Sequence, residues 1–192
     1  MVIAIYGRIF KKELQSPIQN LFDYLTQQEI PFYVEESYLI QCKQANVRIK
    51  ENGSFDNHDS LKKLNIDFVI SIGGDGTILD TLTYIKELEI PVLGINSGRL
   101  GFLAGVSLSN ATKAIENLQK GHYQTDIRSL IELESNENLF EGVRYALNDF
   151  VILKKDTSSM IIIHTFINGE FLNSYWSDGL IVSTPTGSTG YS

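Results

Sequence analysis

The strongest constraint on this chain is a junction near its middle. Residues 66–72 form an almost continuous apolar run, interrupted only by Asp67 and Ser71, that stops at Gly73-Gly74-Asp75-Gly76-Thr77. Over residues 77–88 apolar side chains return at helical spacing, with Ile78, Leu79, Leu82 and Ile85 on one face. A run without alternation suits a strand covered on both faces, the usual state of strands in parallel sheets. Strand, glycine turn and helix in succession then imply right-handed crossovers between parallel neighbours. The same grammar recurs around the junction. Residues 2–6, ended by Gly7, and residues 31–34 and 91–95 read as further strands. Ser16-Pro17 predicts a helix start, with Ser16 as N-cap and Pro17 at the first helical position. Its apolar stripe is Ile18, Leu21, Phe22 and Leu25, whereas the polar stretch 51–60 reads as a loop.

Beyond this half the periodicity changes. Residues 109–120 predict one more helix, closed by Gly121 at its C′ position. From His122 onward the pattern is β-type, over 130–133, 143–153, 160–167, 170–176 and 180–183. The apolar stretch 160–163 is expected to be a core strand. Asn168-Gly169 between two runs is a strong hairpin signal for a type I′ turn. The predicted organisation is an α/β domain over residues 1–121, built on a parallel sheet, followed by an all-β domain over 122–192. The chain closes inside a Gly/Ser/Thr-rich run at Ser192. The β domain is therefore expected to be incomplete, with uncovered strand edges, and the 192-residue chain alone to be inactive and prone to associate.

Charge and cysteine usage narrow the function. Lys and Arg total 16 against 23 Asp and Glu, a net charge of −7, which argues against a basic nucleic-acid groove. No apolar run reaches the roughly 20 residues of a membrane helix, and the start of the chain has no basic region before its apolar stretch. The single Cys42 suits a reducing, cytoplasmic setting. His58, His122 and His164 are scattered, so no resident metal site is expected.

Six of the 15 glycines lie between positions 73 and 101. A glycine turn between strand and helix presents free N–H groups at the positive end of the helix dipole and can bind phosphate without net basic charge. A tight turn with no ligand is the competing reading. Asp75 argues against it, because a carboxylate there repels an anion unless it accepts a proton from an attacking hydroxyl or engages a metal carried by the phosphates. The chain has no G-x-x-x-x-G-K-[ST] loop. Leu79 occupies the place of the third glycine of a dinucleotide fingerprint, which weakens a dehydrogenase reading.

Gly73-Gly74-Asp75-Gly76-Thr77 resembles the motif shared by NAD kinases, diacylglycerol-type lipid kinases and 6-phosphofructokinases. Three further stretches are similar to NAD kinase motifs in particular: Gly94 to Leu103, with Asn96, Gly98, Arg99 and Gly101; the pair Asn148-Asp149; and the long run from Asp178 to Ser192. The resemblance covers residues 73–192, with the four motifs in family order. It implies a Rossmann-like first domain and a β-sandwich NAD-binding second domain. It also implies transfer of a phosphoryl group from ATP to the 2′-hydroxyl of the adenosine ribose of NAD. On this resemblance Asp75 is the catalytic proton acceptor, and Gly73, Gly74, Gly76 and Thr77 cradle nucleotide phosphates. Asn148 and Asp149 hold the adenosine half, and Asp178 engages the dinucleotide towards its nicotinamide end. Thr186, Thr189, Gly190 and Tyr191 line the adenine and nicotinamide pocket, and Phe102 belongs to the pocket wall or core with Leu100 and Leu103. Arg99 is read as a structural hydrogen-bonder and Arg8 as a solvated residue near the crevice.

Mg²⁺ is expected to arrive with ATP, and a homodimer or homotetramer is implied, with no nucleic-acid or membrane partner. The chain departs from the family pattern at three positions. Asp149 stands where many members have Glu, Gly190 where Ala is common, and Trp176 where many carry a basic residue. A lipid or sphingoid-base kinase and a non-catalytic dinucleotide-binding module remain as competing readings.

Overall fold

A computed structural model of the protein describes residues 1–8, 10–98, 101–156 and 158–190. Arg99, Leu100, Tyr191 and Ser192, which carry sequence expectations, lie outside the described residues. The chain divides into two units, Met1–Asp126 and Ile127–Ser192.

The first unit alternates strands and helices. In order these are β1 (Ile3–Gly7), α1 (Gln15–Gln27), β2 (Phe32–Glu35), α2 (Glu36–Gln44), β3 (Gly53–Phe55), α3 (His58–Lys62), β4 (Phe68–Gly73), α4 (Asp75–Ile85), β5 (Val92–Asn96), β6 (Val106–Ser107) and α5 (Ala111–Gln119). The six strands form one parallel sheet in the order β3-β2-β1-β4-β5-β6. The chain runs outward from β1 through β2 and β3, then crosses to β4. Strand order therefore reverses between β1 and β4, the position at which open α/β sheets bind ligands beyond their carboxyl ends. Side chains alternate between two cores. Ile3, Ile5, Ile70 and Ile72 meet Phe22 of α1, Tyr38 of α2 and Ile115 of α5, while Ala4 and Val69 meet Leu61 of α3 and Ile85 of α4. Burial on both faces is why these strands read as continuous apolar runs.

Several boundaries differ from expectation. α1 begins at Gln15, its N-cap is Leu14, and a 3₁₀ turn over Lys12–Leu14 leads into it, so Ser16 is not the cap. Pro17 still lies in the first turn, where an N–H has no intrahelical partner. The stretch 51–60 contains β3 and the start of α3, which is fixed by a reciprocal pairing of Asn57 and Ser60. α4 begins at Asp75 rather than Thr77 and buries Thr77, Ile78, Thr81 and Ile85, leaving Leu79 and Leu82 half-buried. Close approach explains this face: a Cβ on Gly94 would stand 2.5 Å from Ile78 Cδ1, and Thr81 Oγ1 donates to the Thr77 carbonyl at 2.8 Å. At the end of α5, Gly121 has φ 69° and the His122 N–H reaches the Asn117 carbonyl at 2.9 Å, the two marks of a Schellman stop.

The second unit holds three antiparallel pairs: β7 (Ile131–Glu132) with β8 (Tyr145–Ala146), β9 (Asp149–Leu153) with β12 (Gly179–Ser183), and β10 (Ile161–Ile167) with β11 (Glu170–Ser177). Asn168 at φ 52° and Gly169 at φ 85° make the expected left-handed pair of a type I′ turn between β10 and β11. The stretch 160–163 is not a core strand: Met160 is 59% and Ile162 51% exposed. The reason is the architecture, because a two-stranded ribbon buries a face only where another layer covers it.

Phe22 is fully buried between α1 and the sheet and packs at 5.6 Å on Phe32. Phe22→Ala is expected to cost about 3–5 kcal/mol, read as a lower urea midpoint with an unchanged m-value. An unchanged midpoint would place this side chain outside the core.

Candidate active site

The glycine loop is built by β4 and α4 together. β4 ends at Gly73, Gly74 is the N-cap of α4, and Asp75 is its first helical residue. The Gly74 N–H donates to Thr77 Oγ1 at 3.3 Å, and a Cβ on Gly73 would stand 2.7 Å from Thr77 Cβ, so the turn closes only around glycine. A carboxylate at this end of a helix is favoured by the helix dipole.

Asp75 does not stand alone in the loop. Its Oδ2 accepts the Phe102 N–H at 2.8 Å, and its Oδ1 accepts those of Leu103 and Ala104 at 3.0 Å each. The two glycine motifs are thereby one constellation, and the Ser97 N–H bonded to the Gly73 carbonyl at 2.9 Å ties them again. Partial burial pushes the Asp75 carboxyl up, but the amides of Ala104, Phe102 and Leu103 together outweigh it and hold the group below its ordinary value. Phe102 was expected in a wall or core. Its side chain is 99% exposed, and only its backbone enters the site, because the amide must turn inward to reach the carboxylate. Arg8 Nε sits 3.3 Å from Asp80 Oδ2 on α4, with most of the Arg8 side chain exposed.

The second unit gathers a different set. β9 and β12 pair with Asp149 opposite Ser183, which lays Asn148-Asp149 against the glycine-threonine run. The Thr184 N–H donates to the Asn148 carbonyl at 2.8 Å, and Thr184 Oγ1 donates to the Leu147 carbonyl. A Cβ on Gly187 would stand 2.6 Å from the Asn148 carbonyl carbon. Thr186 Oγ1 accepts from Arg128 Nη1 at 3.2 Å, while Thr189 and Gly190 lie exposed on the same turn, where the Gly190 N–H donates to the Gly187 carbonyl at 3.0 Å. Asp178 is not part of this group. It sits at the far end of the β9–β12 ladder, where Lys154 Nζ pairs with its Oδ1 at 2.7 Å and the Lys154 N–H donates to its carbonyl at 2.9 Å. Asp149 and Leu153 are four residues apart along β9, which separates the two ends by about 13 Å. Sequence reasoning missed Lys154 and Arg128. Arg128 is an isolated basic residue and Lys154 is paired with Lys155, and the only signal of either was its proximity to a predicted strand.

Comparison with known proteins decides the family. The ATP-NAD kinase N-terminal domain matches residues 3–123 and the ATP-NAD kinase C-terminal domain residues 147–192. The chain belongs to the ATP-NAD kinase family. It is 46% identical over 193 residues to the NAD kinase of Cytophaga hutchinsonii, covering 100% of this chain and 65% of that protein. It is 39% identical over 194 residues to the NAD kinase of Flavobacterium johnsoniae, covering 100% of this chain and 66% of that protein. The chain therefore spans slightly less than two thirds of the length of these ATP-NAD kinase relatives. Its fold resembles that of a yeast NADH kinase solved with NADH, at TM-score 0.79 and 22% identity over 100% of this chain and 59% of that one. An NAD kinase from Archaeoglobus fulgidus solved with ATP aligns at TM-score 0.64 and 25% identity, over 100% of this chain and 64% of that one. A lipid kinase is not favoured, since the C-terminal family domain matches the stretch that a lipid kinase gives no reason for.

Two outcomes follow from this geometry. A folded-state pKa below the unfolded value of about 3.9 stabilises the fold above that pH, and the contribution is lost as pH falls through the folded pKa. The stability gap between wild type and Asp75→Asn is expected to be full at pH 7 and to shrink below about pH 4, measured by urea unfolding at each pH. A gap independent of pH contradicts the amide contacts. In the second unit, Gly187→Ala is expected to lower the thermal midpoint well below that of Gly190→Ala. A Cβ at 190 meets only the Gly187 carbonyl oxygen, at 3.3 Å. Equal midpoints would deny the close approach to Asn148.

Proposed function

We propose that the protein is an NAD kinase that transfers a phosphoryl group from ATP to the 2′-hydroxyl of the adenosine ribose of NAD, giving NADP. The observation that carries this reading is the Asp75 carboxylate, held beyond the carboxyl end of β4 by three backbone amides of the segment that follows β5, within a chain matched by both family domains.

Phosphoryl transfer has a loose transition state, so positioning and charge stabilisation dominate. A carboxylate held below its ordinary pKa is a weak base, and its role is to orient the ribose hydroxyl and take its proton late, as the new P–O bond forms. The Gly74 and Thr77 N–H groups are bonded within the turn, and the positive N-terminal end of α4 that begins there suits a nucleotide phosphate. Asn148 and Asp149 take the adenosine half, Asp178 the dinucleotide nearer its nicotinamide end, and Thr186, Thr189, Gly190 and Tyr191 the pocket walls. Magnesium enters as part of the ATP substrate. Among the described residues no group of three or more His, Cys, Asp or Glu stands close enough to hold an ion. Family resemblance further supports a homodimer or homotetramer, and the single buried thiol of Cys42 supports a cytoplasmic setting. Among the described residues no helix is long and apolar enough to cross a membrane.

The test is incubation of the full-length protein with Mg-ATP and NAD, followed by an NADP assay. NADP formation is expected. NAD binding without NADP would instead favour a non-catalytic dinucleotide-binding module. Asp75→Asn is expected to keep NAD binding and lose nearly all turnover, and turnover close to wild type would reject Asp75 as proton acceptor.

A further inference from the structure

The second glycine motif carries a requirement that no phosphate explains. Space requires glycine at position 101. A Cβ built on it would stand 2.5 Å from Asp75 Cγ and 2.6 Å from Asp75 Oδ2. What it would strike is the tip of a side chain, which can rotate away without disturbing the sheet. A methyl group at position 101 therefore displaces the carboxylate before it displaces the fold. The following residues, Phe102, Leu103 and Ala104, supply the amides that receive the carboxylate. Gly105, four positions along, meets nothing within 4 Å at its Cβ position.

Most of the carboxylate's acceptor capacity is already used by the backbone. An ionised carboxylate has about four acceptor positions, two on each oxygen. Leu103 and Ala104 occupy both on Oδ1, and Phe102 occupies one on Oδ2. We propose that Gly101 is a positioning residue for Asp75: by leaving room for the carboxylate on the 102–104 amides, it leaves an acceptor position on Oδ2, unfilled among the described residues, for the hydroxyl of the substrate. This assignment rests on the kinase reading of the same site. The amides fix the carboxylate in place, and the Oδ2 position left open by them fixes the side from which the hydroxyl approaches.

Gly101→Ala and Gly105→Ala in the full-length protein test this, using kcat, KM for NAD, the thermal midpoint and a crystal structure of Gly101→Ala. Displacement of a reacting group by about 1 Å can cost about a hundredfold in rate. Gly101→Ala is expected to lose about that factor in kcat with KM for NAD within about threefold of wild type. Its thermal midpoint should stay near wild type, with the Asp75 carboxylate swung off the Phe102–Ala104 amides in the crystal. Gly105→Ala is expected to match wild type in every readout. A Gly101→Ala enzyme with wild-type kcat overturns the assignment. So does one whose kcat and KM both deteriorate while the carboxylate stays on the amides. Should the wild-type protein make no NADP, the kinase reading alone fails. The position of the carboxylate in the Gly101→Ala crystal then decides the positioning role by itself, moved upholding it and unmoved overturning it.

Discussion

Three consecutive backbone amides, those of Phe102, Leu103 and Ala104, converge on one carboxylate, and the first unit is arranged so that they can. Asp75 is carried by the first residue of α4, and the amides come from the segment between β5 and β6. β4 and β5 are hydrogen-bonded neighbours in the sheet, with Gly73 opposite Asn96, so the two motifs emerge side by side at the same carboxyl edge. Without that parallel register the carboxylate and its donors would stand on different parts of the molecule. The contact also fixes the chemistry available. It holds Asp75 ionised and weakly basic, which suits a group that orients a hydroxyl and collects its proton late in a loose transition state.

Glycine serves this arrangement through space more than through backbone freedom. Gly73 lets Thr77 close the turn, Gly94 lets Ile78 of α4 lie flat on β5, and Gly101 makes room for the carboxylate. The second unit uses the same device at Gly187, which brings the signature turn against the Asn148 backbone. In both units a glycine distant in sequence admits a motif residue, the Asp75 carboxylate at Gly101 and the Asn148 backbone at Gly187.

The parts of this structure that could be read from sequence are those whose physical cause is periodic. Strands buried on both faces announced themselves at β1, β4 and β5. The stripe of α1 was visible because Ile18, Leu21, Phe22 and Leu25 share one face. The Asn168-Gly169 turn was legible because its chemistry is local. By contrast α2 buries only Tyr38, Leu39 and Cys42 among polar neighbours, a stripe too thin to announce a helix. β3 is only three residues long and exists because Tyr33, Val34 and Glu35 offer a partner. Met160 and Ile162 were misjudged because apolar character records what a face prefers and does not show whether a layer covers it. The candidate site divides along the same line. Asp75 and Asn148-Asp149 were visible as motif residues, but the partners of Asp75 are main-chain N–H groups, which every residue except proline possesses and no side chain identifies. Lys154 and Arg128 came into view only through the contacts they make.

Amide hydrogen exchange tests the central contact most directly. In the wild-type full-length protein the Leu103 and Ala104 amides are expected to exchange slowly at neutral pH, and Asp75→Ala should bring both close to the rate of an unprotected chain while the β4 amides stay protected. Fast exchange at Leu103 and Ala104 in the wild type, or slow exchange that persists in Asp75→Ala, would contradict the account.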